Sequence, residues 1–130
     1  MSFDKIKKII REHLAKKAED NMYSKKVENL MNNLESKYPI DLFIYYNKFA
    51  NTIILSQIVV DQLKRESGVG TKVMKEICDF ADENNLRIAL TPSPDFGGSK
   101  NRLIKFYKSL GFKNYKGFEF RETMVREPKS

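Results

Sequence analysis

Residues 65–71 read Arg-Glu-Ser-Gly-Val-Gly-Thr, the composition of an anion cradle. They follow an apolar, β-branched run (Ile53, Ile54, Leu55, Ile58, Val59, Val60) and precede a helical pattern that starts at Thr71. A helix start leaves its first backbone N–H groups without intrahelical partners, and the helix dipole favours an anion there. Gly68 and Gly70 permit positive φ and keep side chains out of a ligand's way, while Arg65 adds a fixed positive charge. The chemistry indicated is phosphate binding; an ordinary tight strand–helix connection is the plain alternative. Other chemistries have less to work with. A single His13 and a single Cys78, far apart in sequence, supply no zinc-type ligand cluster, so no metal is expected. Cys78 falls mid-helix, which argues against a covalent nucleophile and for a small buried hydrophobe. His13 lies beside Leu14 on the apolar side of a helix and reads as a structural histidine.

The elements that must position this turn follow from periodicity. Phe3, Ile6, Ile10 and Leu14 recur at helical spacing over 3–19. Ser24 is a candidate N-cap for a second helix with Val27, Leu30, Met31 and Leu34 inward, ending before Tyr38-Pro39. Residues 40–46 read as a strand, 47–51 as a hairpin loop, and 52–60 as its partner strand. The helix after the glycine turn spans about 71–84, with Val73, Ile77, Phe80 and Ala81 inward. Asp82-Glu83-Asn84-Asn85 closes it, since Asn tolerates the left-handed terminal conformation. Leu86–Thr91 is a short buried strand, and the Pro- and Gly-rich stretch 91–99 a loop. Ser99 caps a helix to Leu110 that Gly111 stops. Two last strands, about 112–116 and 118–125, hinge at Gly117. The order predicts one α/β domain over residues 1–130, a single mixed sheet flanked by helices with two at the N-terminus; residues 1–20 are readable as an extension.

At 130 residues the chain suits one core. Apolar runs fall far short of the roughly 18 residues of a membrane span, no secretory signal is evident, and one cysteine suits a reducing cytoplasm. The formal charge of +7 is spread along the chain and is mostly lysine, without interleaved aromatics. That favours solubility and an anionic small ligand over nucleic acid.

In this setting the chain resembles the GNAT superfamily of N-acetyltransferases. Arg65, Gly68 and Gly70 match its Gln/Arg-x-x-Gly-x-Gly/Ala turn, and LIKFYKSLGF places Tyr107, Gly111 and Phe112 in its second signature. The similarity covers roughly residues 40–125. It implies acetyl-CoA as co-substrate and a primary amine, on a small molecule or a protein, as acceptor. The pyrophosphate would lie on the turn formed by Arg65, Glu66, Ser67, Gly68, Val69, Gly70 and Thr71. The pantetheine would run along the strand edge at Ile58, Val59 and Val60, where a backbone N–H would polarise the thioester carbonyl. Tyr107 would protonate the departing thiolate, and the amine would attack directly. Three features depart from the family pattern. Glu66 stands where many relatives have Gly, Lys100 where an Asn is common, and no first strand precedes the N-terminal helices. KIKKIIREHL also resembles an N-terminal helix of phage proteins, which implies a phage-encoded member.

A general base is harder to assign. Phe118, Phe120, Glu122 and Met124 share one face at the period of two, which makes Glu122, an acid on an apolar face, a general-base candidate; a solvated surface carboxylate is the plain alternative. Asp95, in the long loop, is the other candidate, and deprotonation through water needs neither. A GNAT-fold module that holds acyl-CoA or a partner protein without efficient catalysis is the alternative reading.

Overall fold

Alternating apolar and polar residues from Ile40 to Tyr46 build a strand with two unlike faces. In a computed structural model, which describes residues 3–60, 68–93 and 99–129, this strand is β1 (Ile40–Asn47). Ile40, Leu42, Ile44 and Tyr46 are buried, while Asp41, Phe43 and Tyr45 are exposed. A turn with Asn51 at φ 51° leads into β2 (Thr52–Val60), antiparallel to β1. The Asn47 side chain accepts from the Phe49 and Ala50 amides and so closes the hairpin itself. Then come α2 (Val69–Glu83), β3 (Arg87–Leu90), α3 (Lys100–Ser109), β4 (Lys113–Asn114) and β5 (Met124–Arg126). The five strands form one mixed sheet in the order β1-β2-β3-β5-β4, with β2 and β3 parallel.

Both crossovers, β2-α2-β3 and β3-α3-β4, advance in the same direction across the sheet, so right-handedness puts α2 and α3 on one face. The core lies there. Ile53, Leu55, Ile88, Leu90 and Met124 of the sheet meet Val73, Ile77 and Ala81 of α2 and Tyr107 of α3. The long α1 (Phe3–Lys37) packs on this same face through Val27 and Leu34, with the Tyr23 and Tyr46 rings 5.4 Å apart. Glu76 fastens α1 to α2, meeting Lys37 Nζ at 2.7 Å and accepting from the Tyr38 hydroxyl at 2.6 Å. At the far end Arg126, 4% exposed, donates from both terminal nitrogens to Asp82 at 2.8 and 3.0 Å and from Nε to the Leu110 carbonyl. One guanidinium therefore joins β5 to the ends of α2 and α3. Gly111 follows with φ 102°, a conformation that stops α3 and suits glycine.

Three expectations from sequence are corrected. The two N-terminal helices are one continuous helix of 35 residues, and Ser24 lies inside it. Residues 19–24 contain no Gly or Pro to break the ladder. The Lys16–Asp20 bridge at 3.0 Å and the Tyr23–Tyr46 contact hold the turn where a cap would have cut it. The proposed last strand at 118–125 is only β5. Phe120 spends its ring on a stack with Tyr115 at 4.1 Å, with Arg87 over its face, and Phe118 is fully exposed. His13 is exposed rather than structural, because residues 4–19 of α1 have no core to face.

Candidate active site

The site begins where two parallel strands part. β2 and β3 pair in register from Thr52–Arg87 to Leu55–Leu90 and no further, yet β2 runs on with β1 to Val60. The separation coincides with a bulge: Phe43 opposes Gln57 and Ile44 opposes Leu55, so Ser56 is an extra residue in β2. The bulge also resets the alternation, and Ile58 and Val60 take the core-side face that Ile53 and Leu55 occupy before it. What opens between the strand ends is a cavity of about 520 Å³.

Its walls come from four elements. β2 supplies Leu55, Ser56, Gln57, Ile58 and Val60, and the end of β3 supplies Leu90, Thr91 and Ser93. From α2 come Gly70 and Met74, one turn apart on the same face, and from α3 come Leu103, Phe106 and Tyr107. No carboxylate or histidine occurs among these described lining residues.

α2 enters with its N-terminus at this opening. Gly68 holds the N-cap position in the left-handed conformation (φ 76°, ψ 17°) without a side-chain cap. The first intrahelical bond there is from the Lys72 amide to the Gly68 carbonyl at 3.1 Å, so the amides of Val69, Gly70 and Thr71 precede the ladder. Among the described residues a Cβ at Gly68 would meet nothing within 4 Å, and one at Gly70 only Val60 Cγ2 at 3.9 Å. The first turn therefore presents bare backbone at both glycines among the described residues. Val69 is buried and fixes the turn from below; Thr71 is exposed.

Tyr107 is 7% exposed and reaches the same cavity from α3. Ser99 starts that helix, its hydroxyl accepting from the Arg102 amide at 3.1 Å. Phe112 meets the Tyr107 ring edge-on at 5.6 Å and Phe106 lies at 5.4 Å, which fixes the ring's position. Among the described residues nothing hydrogen-bonds the Tyr107 hydroxyl, and burial alone pushes its pKa up from the ordinary phenol value.

The structure thus brings together Ile58, Val60, Gly70 and Tyr107 around one cavity, with Gly68, Val69 and Thr71 at its helix-end rim. Val59 points to the other sheet face, opposite Asp41. Arg65, Glu66 and Ser67, and the alternative base Asp95, lie outside the described residues. Glu122 stands two residues before β5, half-buried, and does not line the cavity. Cys78 is buried in α2, and burial raises its thiol pKa, as suits an inert core residue. Sequence reasoning missed Met74, Leu103 and Phe106. The spacings Gly70–Met74 and Leu103–Phe106–Tyr107 were the available signal.

Two parallel strands thus part over a cavity with a helix N-terminus at its rim and a tyrosine inside it. Residues 40–112, more than half of the chain, match the acetyltransferase (GNAT) family, and the chain belongs to that family. Acyl-CoA-dependent acetyl transfer to an amine is the general chemistry of this family. No curated protein and no solved structure matched the chain.

Proposed function

We propose that the protein is an N-acetyltransferase moving an acetyl group from acetyl-CoA to a primary amine. The observation that carries this reading is the placement of Tyr107 in the cavity that opens where β2 leaves β3 after Leu55 and Leu90. The residues present fit the co-substrate, which would supply an activated thioester. The unladdered amides of Val69, Gly70 and Thr71 and the bare Gly68 backbone suit its pyrophosphate. Arg65, Glu66 and Ser67 complete that turn in sequence. Beyond Leu55 the edge of β2 facing β3 carries backbone groups that β3 does not take up, a track for the pantetheine amides at Ile58, Val59 and Val60. A backbone N–H at the Ser56 bulge or beyond would polarise the thioester carbonyl.

In this reading a neutral amine attacks the carbonyl carbon, the C–S bond breaks, and the thiolate takes the proton from the Tyr107 hydroxyl. The attacking nitrogen gives its proton to water, and the tyrosinate is reprotonated from solvent. Glu122, outside the lining, remains in this reading the general-base candidate of the β5 segment, with water as the alternative. Binding is tested by calorimetric titration with acetyl-CoA, and turnover by thiol release across a panel of amines. No detectable binding at millimolar acetyl-CoA would sink the proposal.

A second reading draws on the lack of a carboxylate or histidine among the described lining residues: a module that holds acyl-CoA and transfers slowly or not at all. Tight binding with only slow, acceptor-independent loss of acetyl-CoA would decide for it.

A further inference from the structure

The helix that carries Tyr107 is lightly held. Of the ten residues of α3 only Tyr107 is buried, with Leu103, Ile104 and Phe106 partly so. Among the described residues nothing hydrogen-bonds the phenol itself. A hydroxyl on such a helix moves when the helix moves, and a displacement of about 1 Å at a reacting group can cost on the order of 10²-fold in rate.

The C-terminal turn of α3 fixes the ring to the backbone around it. The Phe112 amide donates to the Tyr107 carbonyl at 3.1 Å, the Leu110 amide donates to it at 3.0 Å, and the Gly111 amide donates to the Lys108 carbonyl at 3.0 Å. In this glycine-ended closure the residue three before the cap packs on the residue two beyond it. Those residues are Tyr107 and Phe112, whose rings meet edge-on at 5.6 Å. Turn and ring are one unit. The closure leaves the carbonyl of the cap residue, Leu110, without a helical partner.

Arg126 takes that acceptor. Its Nε donates to the Leu110 carbonyl at 2.8 Å, while Nη1 and Nη2 donate to Asp82 at 2.8 and 3.0 Å. Its backbone belongs to the sheet, opposite Ile88 in the β3–β5 ladder. Its stem packs beneath the turn, since a Cβ at Gly111 would stand 3.7 Å from Arg126 Cγ and 3.5 Å from Nε. The path from sheet to phenol is short: Arg126, the Leu110 carbonyl, the closed turn, and Phe112 against the Tyr107 ring.

We propose that Arg126 is a positioning residue of the transfer reaction, holding the end of α3 so that the Tyr107 hydroxyl stands at the thioester sulfur. This rests on the reading of Tyr107 as the acid that protonates the departing thiolate.

The test uses the full chain with Arg126→Met and Arg126→Lys. The first keeps the stem and removes every donor. The second keeps a charge opposite Asp82 but offers one nitrogen where the parent uses three, and it stands in if the first does not fold. Thiol release from saturating acetyl-CoA, with glycinamide as acceptor and well below each unfolding midpoint, should show kcat lowered about tenfold in both. Acetyl-CoA affinity by calorimetry should stay within about twofold of the parent. In a Tyr107→Phe background the same substitutions should cost nothing further, because the hydroxyl they position is gone. Independently of any acceptor, the NMR resonance of the Tyr107 ring carbon, assigned by its loss in Tyr107→Phe, should move in both variants. An unmoved resonance overturns the proposal. So does a parental kcat in the folded variants, or a fall that repeats in full in the Tyr107→Phe background; these results leave the acid role of Tyr107 standing. A parental kcat in Tyr107→Phe itself removes that role and the proposal with it, so the two failures are told apart.

Discussion

The Tyr107 hydroxyl is held in an apolar cleft by Phe106 and Phe112, and burial moves its pKa upward, so the phenol keeps its proton across the neutral range. Replacing it by Phe removes one oxygen and leaves the packing. The expected result is a fall in kcat of about 10²-fold, the scale of a lost general acid, with acetyl-CoA affinity within about twofold of the parent. Because the folded pKa is raised, the alkaline decline in kcat that Tyr107 governs should lie above the ordinary phenol value of about 10. The Phe variant should lack that limb. Steady-state kinetics over pH, with calorimetry for affinity, check both. Gly68 belongs to the same scale. Its φ of 76° makes Gly68→Val strained although no atom of the described residues crowds the site, and the side chain would stand over the proposed phosphate position. Acetyl-CoA affinity should drop at least about tenfold, whereas Gly70→Ala, with 3.9 Å to the nearest atom, should bind nearly as the parent does.

Elements explain which parts of this architecture could be read from sequence. β1, β2, α2 and α3 announce themselves because each carries a clean period and its own punctuation: Asn47 and Asn51 in the hairpin, Asn85 at φ 55°, Ser99 as a cap, Gly111 as a stop. The glycine turn and Tyr107 are local patterns, and they were legible with the elements that bear them. Ser24 shows the limit. Its capping preference is real, but helix continuity through 19–24 depends on Tyr23 meeting Tyr46, a contact 23 residues away in sequence. The final segment failed for the same kind of reason, since the Phe120–Tyr115 stack and Arg87 outbid ladder pairing. Nor does any local signal mark Ser56 as a bulge, because a bulge is a property of two strands. The two halves of α1 give this a measurable form. If residues 1–20 are an extension, removing residues 1–15 should leave the unfolding midpoint of the monomer within a few degrees, since only the half from Tyr23 onward enters the core.

For the whole molecule, stability should hinge on one ion pair that closes the sheet against two helices. Arg126 is almost entirely buried, and its Nη1 and Nη2 both end on Asp82, which also accepts from the Lys129 amide at 2.8 Å. The guanidinium beside it holds the Asp82 carboxyl below the usual carboxylate range, with burial opposing and the Lys129 amide assisting. A depressed folded pKa means that the contribution is complete above the unfolded value of about 3.9 and is lost as pH falls through the folded one. The parent should therefore lose stability steeply below about pH 4, and Asp82→Asn should show a shallower dependence there. At neutral pH the Asn variant leaves Arg126 charged, buried and without its carboxylate, which costs about 3 kcal/mol in a site of this kind. Arg126→Met removes the buried charge instead, and with it the hydrogen bond to the Leu110 carbonyl. It should be less destabilising than Asp82→Asn, because no uncompensated ion stays inside. Urea unfolding of the three proteins at pH 7 and pH 3.5 measures all of these differences. A greater loss in Arg126→Met than in Asp82→Asn would show that the bond to Leu110, rather than the pair, is what joins α3 to the sheet.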